Sequence, residues 1–578
     1  MLHPRRGASP AEQRRPEPRN APVLIVGAGP VGMVLALDLA RWGVPSLLVD
    51  AEFTTRRYPK GNTHNARTME HYRRLGLSEQ VRAAGLPPDH PTDVAYFTRI
   101  TRHELARLPM PSAAAKVAAA REAGVFAQVV EPIHRANQMY VEEILAAACD
   151  CSPLVNLCRG WQASGVSQRA EAVHVTLRGV DDGRNVAVRG AFLVGCDGGR
   201  SQVRQELDFR YAGEDSLGGS LFGGPMVSAH LRIPHLRDWL TGREFWQGWT
   251  VNSEVRTDLI SLDGHDEYMT HAALDTPIGA REMKVIVGRA LGRDAEVDVL
   301  SMASWTAGRA LVADRFGSGR VFLCGDAIHI FTPTGGFGMN TGVDDAANLA
   351  WKLAATLQGW GGSALLASYE TERRPVALRN TAAARQLALN VHSVEVSAAI
   401  EAPGPDGDAE RRRIGATLSH FGEEFASIGV QLGARYDGSP VVVADGTAPP
   451  PDRSDIYVPT ACPGGRVPHA WLRDGSSLFD RLSPGFTVLR TGPAADLVPL
   501  QEIAAARRVP LGVVDIDQAG ASDFYGAPLV LVRPDQHVAW RGSQIPDPLH
   551  LLDVVTGNGP AKDGSPEDRT PFDATRCA

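Results

Sequence analysis

Residues Val23 to Asp50 read VLIVGAGPVGMVLALDLARWGVPSLLVD, and this stretch decides the fold. Its first four residues are apolar and mostly β-branched, which predicts a buried strand, and a glycine-rich turn follows at once. A helix is predicted from about Val31 to Trp42, then a second strand that ends in Asp50. Strand, glycine turn, helix, strand and acid in this order predict a Rossmann-like unit that binds the ADP part of a dinucleotide.

The glycines of the turn have separate predicted tasks. Gly27 permits the tight turn, Gly29 lets a pyrophosphate approach the backbone, and Gly32 lets the helix pack closely on the strand. Pro30 belongs to the same turn, and the helix that follows points its N-terminal amides at the phosphate. Asp50 stands where a carboxylate can accept hydrogen bonds from ribose hydroxyls.

Composition limits the classes of function. The chain has 578 residues, enough for two or three domains, and its net charge of -7 gives no indication of a nucleic-acid partner. Seven cysteines without a CxxC pair indicate free thiols in a reducing cytoplasm and no metal site. No apolar run is long enough to span a membrane. Residues 1–20 are rich in Arg, Pro, Glu and Gln and predict a disordered tail; a targeting peptide or an RNA-binding arm is the alternative.

Two cations follow the first unit closely in sequence. Lys60 lies in a loop and Arg67 at the start of a predicted helix. Either could neutralise cofactor phosphates, and the alternative is that both are surface cations.

From Lys60 onward, with Arg67-Thr-Met-Glu70, the sequence resembles the single-component FAD-dependent aromatic hydroxylases, the para-hydroxybenzoate and phenol hydroxylase family. In that family an arginine usually stands at the position of Lys60, and phenol hydroxylase has an aspartate near its substrate at the position of Asn62. Asn62 cannot act as a general base. His64 is the nearest titratable group, so Asn62 and His64 are the catalytic candidates, with a structural role for His64 as the alternative.

Further signatures extend the resemblance. Gln138 matches a glutamine that contacts the flavin in the family. A predicted strand ends in Gly195-Cys-Asp197-Gly-Gly-Arg-Ser201, and an acid and glycines at the end of a parallel strand lie where open α/β sheets bind ligands. In the family, the Asp-Gly pair of this segment, which is Asp197-Gly198 here, lies near both FAD and the nicotinamide cofactor.

The third signature follows the strand 321–323, and the resemblance implies that it contacts the ribityl, pyrophosphate and isoalloxazine parts of FAD. Amides at a helix N-terminus there would stabilise the negative charge of the reduced flavin. The predicted contacts are Gly325, Asp326, Pro333, Gly335, Gly336, Gly338, Met339 and Asn340.

The remaining chain divides into three parts. Residues 205–305 predict a mostly antiparallel sheet inserted into the FAD-binding domain of residues 21–395, which in the family roofs the substrate cavity. Aromatic residues of this sheet line the cavity or belong to its core. They are Phe222, Trp246, Trp249 and Tyr268.

Residues 396–455 predict a helical segment and linker, and the composition of residues 402–413 within them predicts a loop. Residues 456–578 resemble the thioredoxin-like C-terminal domain of phenol and aromatic polyketide hydroxylases, without the redox CxxC. The predicted fold class is therefore α/β with two domains, and a homodimer is an open alternative to a monomer.

The resemblance implies an FAD-dependent monooxygenase. NADPH or NADH would reduce the flavin as a transient reductant, oxygen would form a flavin C4a-hydroperoxide, and a phenolic or polyketide ring would be hydroxylated. Two alternatives remain: a Baeyer–Villiger or epoxidising oxygenase on the same fold, and a non-catalytic FAD-binding regulator.

Overall fold

The structure is a computed structural model that describes residues 17–216, 224–274, 278–390, 394–425, 427–492 and 496–559. Residues 1–16 of the predicted tail, Phe222, and residues 560–578 of the predicted C-terminal domain lie outside the described residues. No helix within the described ranges is long and apolar enough to cross a bilayer.

The strands of the described chain are β1 (Val23–Val26), β2 (Ser46–Asp50), β3 (Thr63–His64), β4 (Val94–Phe97), β5 (Glu104–Leu108), β6 (His134–Arg135), β7 (Val155–Arg159), β8 (Trp161–Gln168), β9 (Val173–Gly179), β10 (Asn185–Gly190), β11 (Phe192–Gly195), β12 (Tyr211–Glu214), β13 (Pro225–Arg232), β14 (Gln247–Val251), β15 (Arg256–Ser261), β16 (Glu267–Ala273), β17 (Asp298–Thr306), β18 (Ala310–Ala313), β19 (Gly317–Ser318), β20 (Val321–Leu323), β21 (His329–Ile330), β22 (Phe486–Arg490), β23 (Leu511–Asp515), β24 (Leu529–Val532) and β25 (Val538–Gly542).

The α-helices are α1 (Pro30–Arg41), α2 (Ala66–Arg74), α3 (Ser78–Ala83), α4 (Ala113–Glu122), α5 (Gln138–Cys151), α6 (Gln202–Glu206), α7 (Leu236–Trp239), α8 (Ala280–Leu291), α9 (Phe337–Leu357), α10 (Ser363–Asn390), α11 (Pro405–Leu418), α12 (Ile428–Leu432), α13 (Leu478–Arg481), α14 (Val498–Ala506), α15 (Ala521–Tyr525) and α16 (Pro548–Val555). Short 3-10 turns at Gly325–Ala327 and Thr334–Gly336 precede α9.

The first sheet is the predicted Rossmann-like sheet, with strand order β19-β20-β11-β1-β2-β7. All four residues of β1 are buried, and β1 pairs in parallel with β2 on one side and with β11 on the other. Since the chain leaves β1 toward β2 and returns on the opposite side as β11, the strand order switches at β1. Open α/β sheets bind ligands at the carboxyl ends of the strands at such a switch point.

The second large sheet is the predicted inserted sheet, with order β17-β13-β16-β15-β14-β4-β5. Its pairings are antiparallel except that β14 runs parallel to β4. The sequence analysis missed β4 and β5, which come from residues 94–108, before the predicted insertion. One face packs on α8, and the other faces the first domain through Met139 at the start of α5.

The third sheet has order β23-β22-β24-β25, with β22 and β23 parallel and the other pairs antiparallel, as in thioredoxin-like domains. It packs on the first domain, and the rings of Phe486 and Trp351 lie 5.9 Å apart, edge to face. The fold class predicted from the sequence is therefore confirmed.

The prediction of a loop at residues 402–413 is wrong, because α11 occupies Pro405–Leu418. The same residues that suggested a loop begin the helix. Pro405 is at its first position after Gly404, and Asp406 and Asp408 lie in its first turn, where proline and acids are favoured.

A buried cluster of charges joins α9, α10 and the C-terminal domain. Arg533, before β25, donates to both oxygens of Glu372 at 2.6 and 2.8 Å and to Asp535 at 2.6 Å, and Lys352 donates to Glu372 at 2.6 Å. All four side chains are 2% exposed or less. Burial alone would raise the pKa of Glu372, but Arg533 and Lys352 hold that pKa well below its usual range.

Replacing Arg533 by methionine should destabilise the fold by about 3 kcal/mol, because the carboxylates of Glu372 and Asp535 stay buried without their shared partner. Arg453→Met is the matched control, since Arg453 pairs with Asp455 at 2.8 Å but both side chains are about half exposed. The control should change the stability by less than about 1 kcal/mol. Thermal and urea unfolding measure both variants, and equal losses would contradict a structural role for the cluster.

Candidate active site

The turns after β1 and β11 are packed together through their backbones. The amide of Cys196 donates to the carbonyl of Val26 at 2.7 Å. Gly27 has φ +106°, and a Cβ added to it would lie 2.3 Å from the carbonyl oxygen of Cys196 and 2.9 Å from Cα of Asp197. Only glycine fits there, so the first and second sequence signatures form one structure.

The third signature joins the same place. A Cβ on Gly342 of α9 would lie 2.7 Å from Cγ2 of Val31 and 2.9 Å from Cα of Gly325. The amide of Cys324 donates to the carbonyl of Gly195 at 2.9 Å, which continues the sheet to its third turn. The three turns therefore meet at the carboxyl ends of β1, β11 and β20.

Gly29 and Gly32 differ in what requires them to be glycine. A Cβ on Gly32 would lie 2.0 Å from the carbonyl oxygen of Gly27, so the fold itself excludes a side chain. Gly29 has φ -75°, which any residue adopts, and no atom of the described residues lies within 4 Å of its added Cβ. The open space at Gly29 lies at the N-terminus of α1, where no described side chain caps the amides. A phosphate group fits this space.

Polar side chains surround this opening. Asp50 accepts hydrogen bonds from the amides of Ala28 at 2.6 Å and Glu52 at 2.9 Å, which hold its carboxylate against the glycine turn. Lys60 Nζ lies 3.8 Å from Oδ2 of Asp326, and both side chains are about half exposed. The structure thus brings together Asp50 beside the first turn, and Lys60 with Asp326 beside the third.

The turn before α9 has the backbone form that close approach to a flat ring requires. Gly335 and Gly336 have φ +78° and +66°, and Gly336 caps α9 without a described side-chain hydrogen bond to the first amides. Pro333 precedes these glycines, and Gly338 and Met339 lie in the first turn of α9. Backbone amides, rather than side chains, are therefore what this segment offers a flavin.

The side chain of Asn340 is used within the protein. Its amide nitrogen donates to the carbonyls of Thr63 at 2.9 Å and Gly336 at 2.6 Å, and its oxygen accepts from the amide of Asn65 at 2.9 Å. Asn340 therefore fixes the N-terminus of α9 against β3.

The interpretation of Arg67 as a surface cation is wrong. Arg67 is 4% exposed, so it is not a surface cation. Its guanidinium donates to Asp344, Glu70 and Gln536 at 3.1, 3.1 and 2.6 Å, so it is engaged with protein groups. Arg67 instead ties α2 to α9 and to the C-terminal domain.

Asp197 and Gln138 are also engaged with their neighbours. Asp197 accepts from Oγ of Ser201 at 2.5 Å and from the amides of Gln202 and Val203, so its carboxylate caps α6, and burial raises its pKa. Gln138 is buried and donates to Glu142 at 2.7 Å. Asp197 therefore fixes the turn between β11 and α6, and the side chain of Gln138 is held within α5.

The two catalytic candidates, Asn62 and His64, are both buried in this structure. Asn62 is 8% exposed and accepts from Nδ2 of Asn137 at 2.6 Å. His64 is fully buried beside the ring of Tyr72, and burial lowers its pKa to about 4, so it stays neutral and is a weak proton acceptor. The alternative, a structural role for His64, fits the geometry.

Comparison with known proteins identifies the family. Residues 20–384 match the family model described as FAD binding domain, and residues 460–557 match the one described as aromatic-ring hydroxylase, C-terminal. The chain belongs to the FAD-dependent aromatic-ring hydroxylases. This FAD-dependent monooxygenase family accounts for all three turns, since each lies within the matched FAD-binding domain.

Individual relatives match over nearly their full length. The FAD-dependent monooxygenase apdD of Emericella nidulans is 30% identical, over 90% of this chain and 88% of its own. The 2,4-dichlorophenol 6-monooxygenase of Cupriavidus pinatubonensis is 29% identical, over 91% and 93%. A solved structure of RebC-10x, native and bound to K252c, is 36% identical, with a TM-score of 0.85 over 94% of this chain and 100% of that one.

Sequence reasoning missed the polar residues on the inner face of the hydroxylase's inserted sheet. Ser228, Asp258 and His271 lie on neighbouring strands in one row, and Trp249 and Tyr96 continue that row. The occurrence of Asp258 and His271 within strands of mostly buried residues, β15 and β16, was the available signal. Trp246 and Trp249 belong to this face, whereas Tyr268 packs on the opposite face with α8.

The variant Gly29→Val should keep the fold and lose cofactor affinity, because a Cβ at this position meets no described protein atom within 4 Å and the valine side chain would fill the space at the N-terminus of α1. We expect FAD to bind about tenfold to a hundredfold more weakly, as for a lost charge-assisted hydrogen bond. Gly288→Ala in α8, which also has open space around it, is the matched control and should bind FAD normally.

FAD fluorescence titration and circular dichroism measure binding and fold separately. Unchanged FAD affinity in folded Gly29→Val would contradict a phosphate position at this turn.

Proposed function

We propose that this hydroxylase uses NAD(P)H and oxygen to hydroxylate a phenolic or polyketide aromatic ring, through the flavin C4a-hydroperoxide that the family resemblance implies. One observation carries the proposal: the three turns meet beside a large sheet whose inner face carries a buried cluster of apolar and aromatic side chains. When bound, FAD would supply the electron transfer and oxygen chemistry. The protein's part is to hold the ring, exclude water and handle the protons.

The inner face of the inserted sheet suits a flat apolar substrate. Its apolar residues form one buried cluster with Met139 of α5, next to Gln138. The residues of this cluster on the sheet and its edge are Val94, Tyr96, Met226, Trp246, Trp249, Ile260, Leu262 and Met269. Such a wall excludes water from a reactive flavin and binds an aromatic ring by its faces and edges.

Contacts connect this wall to the flavin turns. The guanidinium of Arg135 lies 3.7 Å from the ring centre of Trp246 and also donates to the hydroxyl of Thr63. A Cβ on Gly336 would lie 3.2 Å from Cβ of Thr63. The isoalloxazine against Gly336 would therefore lie within a few side chains of the sheet.

The N-terminus of α9 would stabilise the reduced cofactor. Negative charge on the pyrimidine end of a reduced flavin would face amides whose orientation Asn340 fixes. NADPH or NADH would dock transiently near the Asp197 turn, as the resemblance implies. The predicted cytoplasmic location fits this dependence on NAD(P)H, since that is where the reductant is supplied.

The proposed activity is tested with purified protein containing FAD, NADPH or NADH, and a panel of 2,4-dichlorophenol, a naphthol and a hydroxyanthraquinone. At least one compound should stimulate NAD(P)H oxidation by about tenfold or more and gain one oxygen atom on its ring, because bound substrate positions the reacting carbon. Gly29→Val is the control that should lose this stimulation in proportion to its FAD content.

The outcomes separate the alternatives. Oxygen inserted beside a carbonyl or across a double bond would favour the Baeyer–Villiger or epoxidising reaction. FAD binding with no stimulation by any compound would favour the non-catalytic regulator and contradict the proposal.

A further inference from the structure

The ladder between β15 and β16 is interrupted on the inner face of the inserted sheet. Residue pairs register at Thr257–Ala272 and at Ile260–Met269, but not between them. In the gap, Oδ1 of Asp258 accepts a hydrogen bond from the backbone amide of His271 at 2.8 Å. A side chain thus replaces a backbone acceptor, and such irregularities in strands commonly re-aim a side chain at a functional site.

The carboxylate of Asp258 also holds the ring of His271. Nδ1 of His271 lies 3.0 and 3.1 Å from the two carboxylate oxygens. Nε2 of Gln247 donates to the same carboxylate at 3.0 Å, so three donors surround a side chain that is 2% exposed. A buried carboxylate with this many donors is a fixed element of the structure.

This contact decides which nitrogen of His271 can accept a proton. An ionised carboxylate only accepts hydrogen bonds, so Nδ1 must carry the hydrogen that it donates to Asp258. The lone pair is then on Nε2, which has no hydrogen-bond partner among the described residues. The side chain of His271 is 17% exposed, so this nitrogen is accessible from the inner face.

Aromatic and polar neighbours frame the ring of His271. The ring of Trp305 stands edge to face with it at 5.9 Å, and Trp305 donates its indole hydrogen to Ser228 at 2.8 Å. Ser228 is directly opposite His271 in the β13–β16 ladder. A flat hydroxylated ring that stacks in this row would place its oxygen beside Nε2.

Other titratable groups on this face pair with each other. His230 and the hydroxyl of Tyr140 both contact Oε2 of Glu267, at 3.0 and 3.1 Å, and Arg232 donates to Oε1. His230 lowers the pKa of Glu267 to about 2. Arg256 of β15 donates to the carbonyl of Val394. In His230 the nitrogen that contacts the carboxylate is Nε2, whereas in His271 it is Nδ1, so Nε2 of His271 is the nitrogen left without a partner among the described residues.

We propose that His271 is the general base of the hydroxylation, with Asp258 as the residue that positions it. The inference rests on the proposed function, since it assigns a proton acceptor for the aromatic substrate of that site. It also replaces the candidates Asn62 and His64, because Asn62 carries an amide that cannot take up the proton and the ring of His64 is fully buried.

The proposed step is a single proton transfer. The O–H bond of a ring hydroxyl breaks, and its proton forms a bond to Nε2 of His271, while the electron pair stays on the oxygen and enters the ring. The ring becomes a phenolate with more electron density at its ortho and para carbons. The imidazolium keeps its Nδ1 hydrogen bond, and the negative charge of Asp258 stabilises it. No oxidant or reductant enters this step.

The test measures ionisation of a bound ring without requiring turnover. The probe is the hydroxyanthraquinone alizarin, whose absorbance moves to longer wavelength when a hydroxyl ionises. It is titrated with pH in the oxidised, FAD-containing enzyme, without NAD(P)H. The wild type should ionise the bound probe at lower pH than in solution, and His271→Asn should raise the apparent pKa of the bound probe by about one unit or more.

Asp258→Asn isolates the positioning role at nearly constant volume. The amide can donate to Nδ1, which moves the hydrogen to Nε2 and removes the acceptor. The variant Asp258→Asn should therefore also raise the pKa of the bound probe, as His271→Asn does. His235→Asn is the control, because His235 is 75% exposed and its partner Asp238 is at the surface. FAD content and melting temperature confirm that each variant is folded.

The outcomes are distinct. An unchanged pKa of the probe in folded His271→Asn, or a shift in His230→Asn instead, would overturn the assignment while the proposed function stands. A wild type that binds neither alizarin nor any compound of the panel would contradict the proposed function, and this inference with it. If Asp258→Asn does not fold, His271→Gln with the same titration decides the assignment.

Discussion

Close backbone packing at the carboxyl ends of three strands is the constraint on which the rest of this hydroxylase depends. A side chain at Gly27 would collide with Cys196, and one at Gly32 would collide with Gly27. A side chain at Gly342 would collide with Gly325 and Val31. Each of these close contacts joins two different turns, or a turn and a neighbouring helix. The cofactor site is therefore an interlocked arrangement, in which no turn can move without displacing another.

A second group of buried charges, centred on Arg373 of α10, holds α9 in place behind the turns. Arg373 donates to Asp345 at 2.7 Å and to Asp344 at 2.5 Å, and His329 contacts Asp345 at 2.6 Å. Burial alone would raise the pKa of Asp344, but Arg373 holds it well below its usual range. Asp344 also contacts Arg67, whose guanidinium reaches Gln536. Through these contacts the C-terminal domain braces the helix whose N-terminus faces the flavin position.

The sequence predicted the parts of the site that depend on backbone form. Glycine spacing after apolar strands identifies the turns, because few other residues allow those conformations and clearances. It did not predict which polar side chains face the cofactor. Arg67 stands in a motif at the right spacing, but its partners include Asp344 and Gln536, which are 277 and 469 residues away. Such pairings depend on tertiary contacts that no local pattern contains.

The same limit explains the inserted sheet. Strand β4 joins it by pairing with β14, which is more than a hundred residues later, and β5 joins it by pairing with β4, so a local pattern could not assign them to it. The pair of Asp258 and His271 depends on the register of β15 against β16. A shift of one residue would turn both side chains to the opposite face. Residues 402–413 show the opposite case. Their proline and acidic residues were sufficient to indicate the start of a helix, but they were interpreted as a loop.

Binding of FAD by the purified native protein tests the central claim most directly. The protein should be yellow as isolated or, once stripped, should take up FAD at one molecule per chain with a resolved flavin spectrum, because the three turns form a single site. A folded, colourless protein that binds no added FAD under native conditions would contradict the account.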